Sequence, residues 1–365
     1  MSFVWDPDFT TSASKALRDE SLAARLAGRK AALEALERGL PADHFSPFDI
    51  DFGNLGIEVV ACPRGSAENR LFDYVAESQS VAAETRTMRT GRFLIYDRTA
   101  GPARVAGVLA LRSPMYFDGA RDVHLNWPPL FKVRPDGIRA KSPPAIALRN
   151  AALKSIFNVS ICMAAPPYDV RGFGRLVAAL AFSEPVISHL EMTYGDPVLG
   201  LTTTGGWGGS AGQYERIRIG RDVNDGQRGK LFERIYGATR SLNFPIDHFS
   251  AGTFDAAFAS LAASNVSARQ FRGHAANKPL RKQMLLAAAR LVGIPRRALA
   301  ANVVAHYFGA ISRECRQALG TIATLETPPA ARSLPVAEIL AEWTASHPLP
   351  PAAGVSARRL SMSAT

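Results

Sequence analysis

The segment 166–182, "PPYDVRGFGRLVAALAF", decides how the surrounding chain folds. It follows the apolar run "SIFNVSICMAA" (155–165), which predicts a strand that ends at the two prolines, and its second half predicts a helix from about Phe173. A glycine-containing turn between a strand and a helix presents backbone N–H groups at the helix N-terminus, where anions bind. The same turn also serves in many proteins as a tight connection into a packed helix. From the residues alone, both interpretations stay open.

The four central residues of this turn have the properties that a phosphate site needs. Gly172 and Gly174 permit a positive φ and a close approach of the backbone to a ligand, while Arg171 and Arg175 supply positive charge. Arg171, Gly172, Gly174 and Arg175 are therefore the candidate phosphate-binding residues of this turn.

The elements around the turn predict an α+β order, because strands and helices do not alternate regularly. The expected strands are "GRFLIYDR" (91–98), "RVAGVLALRSP" (104–114), 155–165 and "VLGLTTT" (198–204), with a short helix or a turn into a further strand at "QYERIRIG" (213–220). Helices are expected over 12–38 and 69–89, after the Ser183 and Pro185 start signal, and generally from about residue 250 onward. We expect a mixed twisted sheet with flanking helices. The predicted boundaries are an N-terminal helical extension (1–50), a core domain (51–250), a basic helical region (251–345) and a disordered tail (346–365).

Charge is the most informative feature of the composition. The 365 residues carry a net charge of +11, and residues 251–365 contribute +8 of it through 13 Lys/Arg against 5 Asp/Glu. Such an excess favours a polyanionic partner, and nucleic acid is the partner that we expect.

The remaining composition argues against several classes of protein. No apolar run approaches the length of a membrane span, and the start "MSFVWDPDF" lacks the pattern of a signal peptide. The three cysteines lie far apart without metal-ligand spacing. We expect a cytoplasmic protein with no disulfide, no bound metal and no membrane contact. The absence of a clustered carboxylate set also gives a two-metal nuclease no support.

A second glycine cluster, "TTTGGWGGSAG" (202–212), would lie beside the first if the two flanking strands are neighbours. Its hydroxyl groups at Thr203, Thr204 and Ser210 are suited to a base or a phosphate, and Trp207 is suited to stacking on a base. The alternative is a flexible turn that carries an exposed tryptophan.

The basic segment 280–308, "LRKQMLLAAARLVGIPRRALAANVVAHYF", has the spacing of a helix-turn-helix. Arg281 and Lys282 in its first half, and Arg296 and Arg297 at the start of its second half, would then face nucleic acid. At helical spacing, His306, Arg313 and Arg316 would extend that face. Two ordinary amphipathic helices are the alternative interpretation.

Candidates for a proton acceptor near the glycine turn are few. Asp169 immediately precedes it, and His124 follows the second of the paired strands in a loop that we expect to face the cleft. Either side chain is a candidate catalytic base, although most isolated histidines and surface carboxylates have no such role.

The order of elements is similar to that of the GCN5-related N-acetyltransferases (GNAT proteins). It consists of three strands, the turn "RGFG", a helix, a further strand and a later tyrosine. In that family, a Q/R-x-x-G-x-G/A turn binds the pyrophosphate of acyl-CoA, and a tyrosine often protonates the departing thiolate. The resemblance implies that acyl-CoA, or a related donor, binds at Arg171, Gly172 and Gly174, and that Tyr214 in "AGQYERI" is the catalytic acid. Leu176 stands where the family has glycine or alanine at the sixth position of the motif.

Segments from about 69 to 320 also resemble DruA-like proteins of the Druantia anti-phage system. The most specific match is "VLGLTTT…S…QYERIRIG", which is similar to the family's L-V-T-T-x-x-x-G-x-S-x-x-Y-N-R-L segment with Glu215 in place of Asn. The segment "GHAANKPLRK" looks like a diverged G-x-G-x-N-W-R motif without its tryptophan. This resemblance implies a role in phage defence or in mobile-element biology, with nucleic acid as the partner and other proteins of such a system as further partners. The phage Mom proteins, which modify adenines in DNA and share the GNAT-like layout, suggest base modification with DNA as the nucleic acid.

Two hypotheses follow. In the first, the chain is a GNAT-like group transferase that acylates or similarly modifies a nucleobase amine, with Tyr214 as acid and Asp169 or His124 as base. In the second, it is a non-catalytic nucleic-acid-binding component of a defence system, and the glycine turn grips a backbone phosphate.

Overall fold

The computed structural model describes residues 50–78, 89–99, 102–133, 139–169, 172–205, 229–235, 251–264, 278–291, 305–320 and 333–346, with a few further residues between 31 and 38, at 213–219 and at 268–272. Contacts divide the chain into two compact units, one formed by residues 1–32 with 241–304 and the other by residues 33–240 with 305–365. Residues 251–345, which we predicted as one basic helical region, are divided between the two units at residue 304.

The larger unit is built on a seven-stranded mixed sheet. Its described strands, in chain order, are β1 (Ile57–Ala61), β2 (Thr90–Asp97), β3 (Arg104–Arg112), β6 (Ile156–Ala164), β7 (Gly200–Gly205), β8 (Glu233–Ile235) and β9 (Ala305–Ala310). The spatial order is β1-β2-β3-β6-β7-β9-β8. Strands β6 and β7 run parallel, and every other neighbouring pair is antiparallel. Strands β4 (Phe131–Val133) and β5 (Arg139–Lys141) form a separate antiparallel pair.

The helices of this unit are α1 (Ala67–Ser78), α2 (Gly119–His124), α3 (Pro143–Ala152), α4 (Phe173–Ala179), α5 (Glu184–Tyr194), α8 (Arg313–Gly320) and α9 (Val336–Ser346). The burial of the central strands agrees with helices on both faces of the sheet. Residues 91–97 of β2 and 105–111 of β3 are buried without interruption, as expected for strands that have helices on both faces.

Helices α4 and α5 cover one face, which we call the α4 face. A Cβ on Gly107 would lie 2.9 Å from a Val177 methyl group of α4, and one on Gly91 would lie 2.6 Å from a Leu190 methyl group of α5. The other face, which we call the α2 face, packs against α8, because a Cβ on Gly200 would meet Leu319 at 3.1 Å. These glycines allow the helices to approach the strands closely.

Local signals define the ends of α5. Ser183 is extended before the first turn, Pro185 lies within that turn, and Gly195 ends the helix in the left-handed region with a φ of 73°. The sequence prediction of this start is confirmed. The predicted strands 91–98, 104–114, 155–165 and 198–204 are likewise present with bounds shifted by a few residues.

The smaller unit has described helices α6 (Ala251–Ala263) and α7 (Lys278–Leu291), with a 3-10 turn at Ala268–Phe271 between them. Its core consists of Phe254, Ala257, Leu261, Phe271, Met284 and Leu285. The unit is small and helical in its described part, and α7 carries the predicted first helix of the basic segment.

One expectation for the basic segment is wrong. We predicted helix through residue 308, but Ala305–Ala310 is a strand that pairs with both β7 and β8. His306 therefore lies on a strand, whereas Arg313 and Arg316 lie on α8, so the three do not share a helical face. The physical reason is tertiary: β9 fills the position beside β7, and residues 200–205 and 305–310 satisfy each other's backbone groups.

Within the described residues, no helix has the length and apolar character that crossing a membrane requires.

Candidate functional site

The two parallel strands in the middle of the sheet separate at their carboxyl ends. Their pairing runs from Ile156 with Gly200 to Val159 with Thr203 and then stops, although β6 continues to Ala164. At that point β6 also bulges, because Leu111 of β3 pairs with Val159 while Ala110 pairs with Ile161, which leaves one residue unpaired. The Thr203 hydroxyl donates a 3.0 Å hydrogen bond to the Val159 carbonyl at the last paired position. Beyond it, a gap opens between the strands.

Gln213 and Tyr214 lie in this gap. The Gln213 side-chain amide donates to the Cys162 carbonyl of β6 at 3.3 Å. The Tyr214 ring packs at 5.2 Å from the Phe232 ring and at 5.4 Å from the Tyr307 ring, both measured between centroids. Tyr214 therefore lies next to the ends of the separating strands.

Burial keeps the Tyr214 hydroxyl protonated. Desolvation, followed by the neighbouring Cys162, raises the pKa of Tyr214 well above its ordinary value, although hydrogen bonds with Thr203 and Gln213 act in the opposite direction. Burial likewise raises the pKa of the Cys162 thiol to about 12. A phenol in this state is a hydrogen-bond donor at neutral pH, and Cys162 is a neutral thiol rather than a nucleophile.

The glycine turn leads from the end of β6 into α4. Gly172 has a φ of 80°, in the left-handed region, and immediately precedes the helix. Its carbonyl accepts hydrogen bonds from the Arg175 N–H at 2.8 Å and from the Trp343 indole N–H of α9 at 3.3 Å. A Cβ on Gly174 would lie 3.0 Å from Gln213 Oε1. The second glycine therefore gives Gln213 room within the gap, and the first gives the turn its backbone conformation.

A cleft runs beside this turn between α4, the residues around 218 and α9. Two arginines, Arg175 and Arg218, line it together with Trp343 and Ser346, and the remaining lining residues are Ala179, Ile217, Ile219 and Ile339. Guanidinium groups, a hydroxyl and an indole are suited to an anionic group attached to a flat ring.

The two predicted bases differ in environment. Asp169 is exposed. His124, at the end of α2, is partly buried on the α2 face, where its ring lies 5.3 Å from the Phe308 ring and its Nε2 lies 3.8 Å from Glu233 Oε2. Burial, assisted by the positive charge of Arg316, lowers the pKa of His124 to about 4.

A second acid–histidine pair lies on the α2 face, and our sequence reasoning missed it. His306 Nδ1 of β9 lies 3.4 Å from Asp118 Oδ1. Asp118 also caps α2, because the same oxygen accepts the backbone N–H groups of Ala120 at 3.0 Å and Arg121 at 3.3 Å. His306 is directly opposite Thr204 of β7, which is exposed and belongs to our predicted nucleic-acid-binding set. The pair therefore lies beside the end of β7.

Electrostatics keep Asp118 ionised. Burial alone would raise its pKa, but the contacts with His306, with the Arg121 charge and with the backbone outweigh it, so the pKa of Asp118 is below its ordinary value. The short pattern of an aspartate before "GARDVH" signals an N-cap in the sequence. The partner of that aspartate, 188 residues later in the chain, leaves no comparable local signal.

A buried ionic network supports the segment that contains Asp118. Asp122 accepts hydrogen bonds from Arg121 Nη2 at 2.7 Å and from Arg149 Nη2 at 2.8 Å, and all three side chains are buried. Arg121 also donates to the carbonyls of Met115 at 2.7 Å and Tyr116 at 3.3 Å. The guanidinium thereby fixes the loop that precedes the acid–histidine pair.

The remaining predicted residues are distributed over both units. Thr203 is buried at the strand ends, and Arg313 is exposed as the first residue of α8. Arg281 lies on α7 of the smaller unit, with its guanidinium carbon 5.1 Å from the centre of the Phe254 ring. Lys282 is on the same helix, but its side chain is outside the described part. Five further predicted residues lie outside the described residues: Arg171, Trp207, Ser210, Arg296 and Arg297.

The described part of the chain contains no group of three or more His, Cys, Asp or Glu side chains placed to hold a metal ion. Of the two acid–histidine pairs, Asp118 and His306 are 3.4 Å apart, whereas the 3.8 Å between Glu233 and His124 is too long for a hydrogen bond.

Comparison with known proteins gives one weak relationship. The chain is 24% identical over 167 residues to Druantia protein DruA of Escherichia coli strain UMEA 4076-1, an alignment that includes 42% of this chain and 36% of that protein. The chain thus spans little more than a third of the length of this curated relative. No protein-family model matches the chain. No solved structure matches it either.

Proposed function

We propose that the chain is a GNAT-like group transferase that modifies a nucleobase amine and acts in anti-phage defence. The observation that carries this proposal is the arrangement of β6, the glycine turn, α4 and β7. A strand leads through a left-handed glycine into a helix and returns to a parallel neighbour that separates from it, with a protonated tyrosine in the gap. This is the order of elements that the GNAT resemblance implies.

The residues beside the turn fit an acyl-CoA type of donor. Gly172 and Gly174 provide the turn, and Arg175 and Arg218 provide positive charge in the adjacent cleft. An acyl thioester supplies an activated acyl group when it is bound. Tyr214 would donate a hydrogen bond or a proton to the leaving group, and Gln213 would fix the position of the β6 backbone through the Cys162 carbonyl.

The defence context rests on the relative and on charge. Similarity to a Druantia protein supports a role in a defence system, and the net charge of +11 supports a nucleic-acid partner, because Lys and Arg neutralise phosphates.

The packing around Gln213 favours a second candidate function. Gln213 and Tyr214 fill the gap between β6 and β7, and Tyr214 is buried among the side chains of Phe232, Tyr307 and Cys162. A binding component without catalysis would keep such a filled gap, and its glycine turn and arginine-lined cleft would hold a backbone phosphate of nucleic acid.

Titration of the full chain with acetyl-CoA and with coenzyme A, followed by calorimetry, separates the two functions. The transferase proposal predicts a heat of binding that Arg175→Gln weakens by about tenfold. Arg98→Gln is the matched control, because Arg98 pairs with Glu58 at the surface and does not line the cleft. If no heat and no thermal shift occur with either ligand, an acyl-CoA donor is excluded.

Nucleic-acid binding is then measured separately for the second function. Labelled DNA and RNA should bind with an affinity that falls steeply as salt rises, because phosphate contacts release counterions. Binding that is absent, or that does not change with salt, would contradict both functions.

A further inference from the structure

The loop before α2 has an exposed apolar surface. Its side chains Met115, Tyr116 and Phe117 are 51%, 44% and 58% exposed, and Val123 on α2 is 53% exposed. Two aromatic side chains and a methionine side by side in solvent are uncommon on a surface without a ligand or partner. We call Met115–Phe117 the stacking loop.

Hydrogen bonds from a buried side chain fix the backbone of the stacking loop. The buried Arg121 guanidinium donates to the carbonyls of Met115 and Tyr116, and Asp122 fixes that guanidinium in turn. Because the loop backbone is already fixed, its aromatic rings lose little freedom when a flat ligand binds. A pre-organised aromatic surface is therefore available.

A polar group suited to the edge of such a ligand lies next to the loop. Asp118 follows Phe117 directly and contacts His306 Nδ1. When Nδ1 of a histidine carries the proton towards a carboxylate, Nε2 is the ring atom that accepts a proton or hydrogen bond. His306 keeps 12% of its side chain exposed, and its cross-strand neighbour Thr204 adds an exposed hydroxyl.

We propose that the stacking loop and the Asp118–His306 pair form the acceptor site for an unstacked nucleobase that carries an exocyclic amine. This inference rests on the proposed function and names the substrate side of the same site. The aromatic rings contact the flat face of the base, and His306 Nε2 accepts hydrogen from its amine edge. A purely apolar peptide would use the loop but would leave the acid–histidine pair without a role.

The group-transfer step balances in the following way. The amine nitrogen forms a bond to the carbonyl carbon of an acyl thioester, the carbon–sulfur bond breaks, and the sulfur leaves with the bonding electrons as a thiolate. The proton that the nitrogen loses passes to His306 Nε2. Asp118 is a positioning residue, because its carboxylate orients the imidazole and stabilises the imidazolium that forms.

His306 suits this role better than the other histidine on the same face. His124 lies next to Glu233, which pairs with Arg316, and partial burial together with that positive charge lowers the pKa of His124 to about 4, which makes it a weak base. His306 instead faces the ionised Asp118 and lies opposite the exposed Thr204 at the end of β7.

The stacking role is tested with the full chain and fluorescein-labelled single-stranded 20-mers, measured by fluorescence anisotropy at fixed salt. The double variant Tyr116→Ala with Phe117→Ala should bind an intact oligonucleotide about tenfold or more weakly. Met192→Ala, which removes a side chain that is 79% exposed on α5 of the opposite face, should bind like the native chain. An oligonucleotide with a central run of abasic sites should lose affinity for the native chain and not for the double variant.

The results separate this inference from the proposed function. If the native chain binds nucleic acid but the double variant binds it equally well, or if abasic sites make no difference, the acceptor site is elsewhere and the loop contacts another class of partner. If the native chain binds no nucleic acid, both the site and the proposed function are wrong.

The role of His306 is tested by nucleoside mass spectrometry after reaction. His306→Gln should lower the modification rate by about 100-fold, a much larger loss than the weakening of oligonucleotide binding that follows from losing one hydrogen bond. Asp118→Asn keeps an oxygen for the α2 cap and should lower the rate less than His306→Gln does. Full activity of His306→Gln would overturn the assignment. If the native chain modifies no nucleoside, the assignment fails together with the transferase function.

Discussion

Removing the charge of Asp122 should destabilise the larger unit strongly. Asp122 is 5% exposed and contacts two buried guanidinium groups, Arg121 at 2.7 Å and Arg149 at 2.8 Å. Asp122→Asn preserves the size of the side chain but leaves two buried positive charges without their carboxylate. Loss of one partner from a buried ionic group costs about 3–5 kcal/mol.

The matched control is Glu58→Gln, which removes one negative charge from a pair with Arg98 in which both side chains are about half exposed. Exposed pairs contribute about 0–1 kcal/mol, so this variant should unfold close to the native chain. In a domain of this size, 1 kcal/mol corresponds to roughly 2–4 °C of melting temperature. Thermal unfolding followed by circular dichroism should therefore show a decrease of about 10 °C for Asp122→Asn and at most about 4 °C for Glu58→Gln.

Equal melting temperatures for the two variants would refute this reasoning. Such a result would mean that the guanidinium groups of Arg121 and Arg149 are satisfied without the carboxylate. It would also weaken the claim that the stacking loop is pre-organised, because Arg121 holds that loop through the carbonyls of Met115 and Tyr116.

Three other predictions concern packing and protonation. Gly309→Ala should destabilise the larger unit by about 3 kcal/mol, because the new Cβ would clash with the Leu231 carbonyl oxygen. Gly65→Ala, at a φ of 83° with no atom within 4 Å, should cost about 1 kcal/mol. Urea unfolding compares the two variants, and similar free energies of unfolding would contradict the clash at Gly309. Iodoacetamide at pH 8 should leave Cys62 and Cys162 unmodified in the native chain, because burial raises the pKa of each thiol to about 12. Both cysteines should be modified after denaturation. Rapid labelling of the native chain, seen by mass spectrometry, would contradict this prediction. Burial lowers the pKa of His124 to about 4, so between pH 6.5 and pH 4 the unfolded chain binds a proton that the folded chain does not. The free energy of unfolding should therefore be highest above pH 6.5 and fall by up to about 3 kcal/mol as the pH approaches 4. His124→Asn should remove this part of the decline, and an unchanged decline would show that His124 is not its source.

The central part of the fold was predictable because its signals are local. Apolar runs define β2, β3, β6 and β7, and the glycine turn marks the change from β6 to α4. The Ser183 and Pro185 signal defines the start of α5 in the same way. Each of these features depends on residues that are close together in the sequence.

The position of β9 was not predictable from local pattern. "AHYFGA" follows a long Ala- and Leu-rich segment whose composition favours helix, and pairing with two strands that are distant in the sequence, β7 and β8, makes it a strand. That error also concealed the candidate acceptor site. His306 reaches Asp118 only because β9 lies beside β7 on the α2 face, so no spacing along the sequence could indicate the pair.

The prediction of Tyr214 had a different basis. The motif resemblance selected it, and the structure places it in the gap between β6 and β7, where burial keeps its hydroxyl protonated. Its catalytic role stays a prediction, as do the roles of Asp169 and His124.

The central claim is that the chain transfers a group to a nucleobase, and the most direct measurement is mass spectrometry of nucleosides. DNA and RNA are isolated from cells that produce the full native chain, from cells that produce Tyr214→Phe and from cells that produce neither, and each sample is digested to nucleosides. The account predicts a nucleoside of increased mass that occurs with the native chain and is strongly reduced with Tyr214→Phe. Identical nucleoside masses in all three samples, in both DNA and RNA, would contradict it.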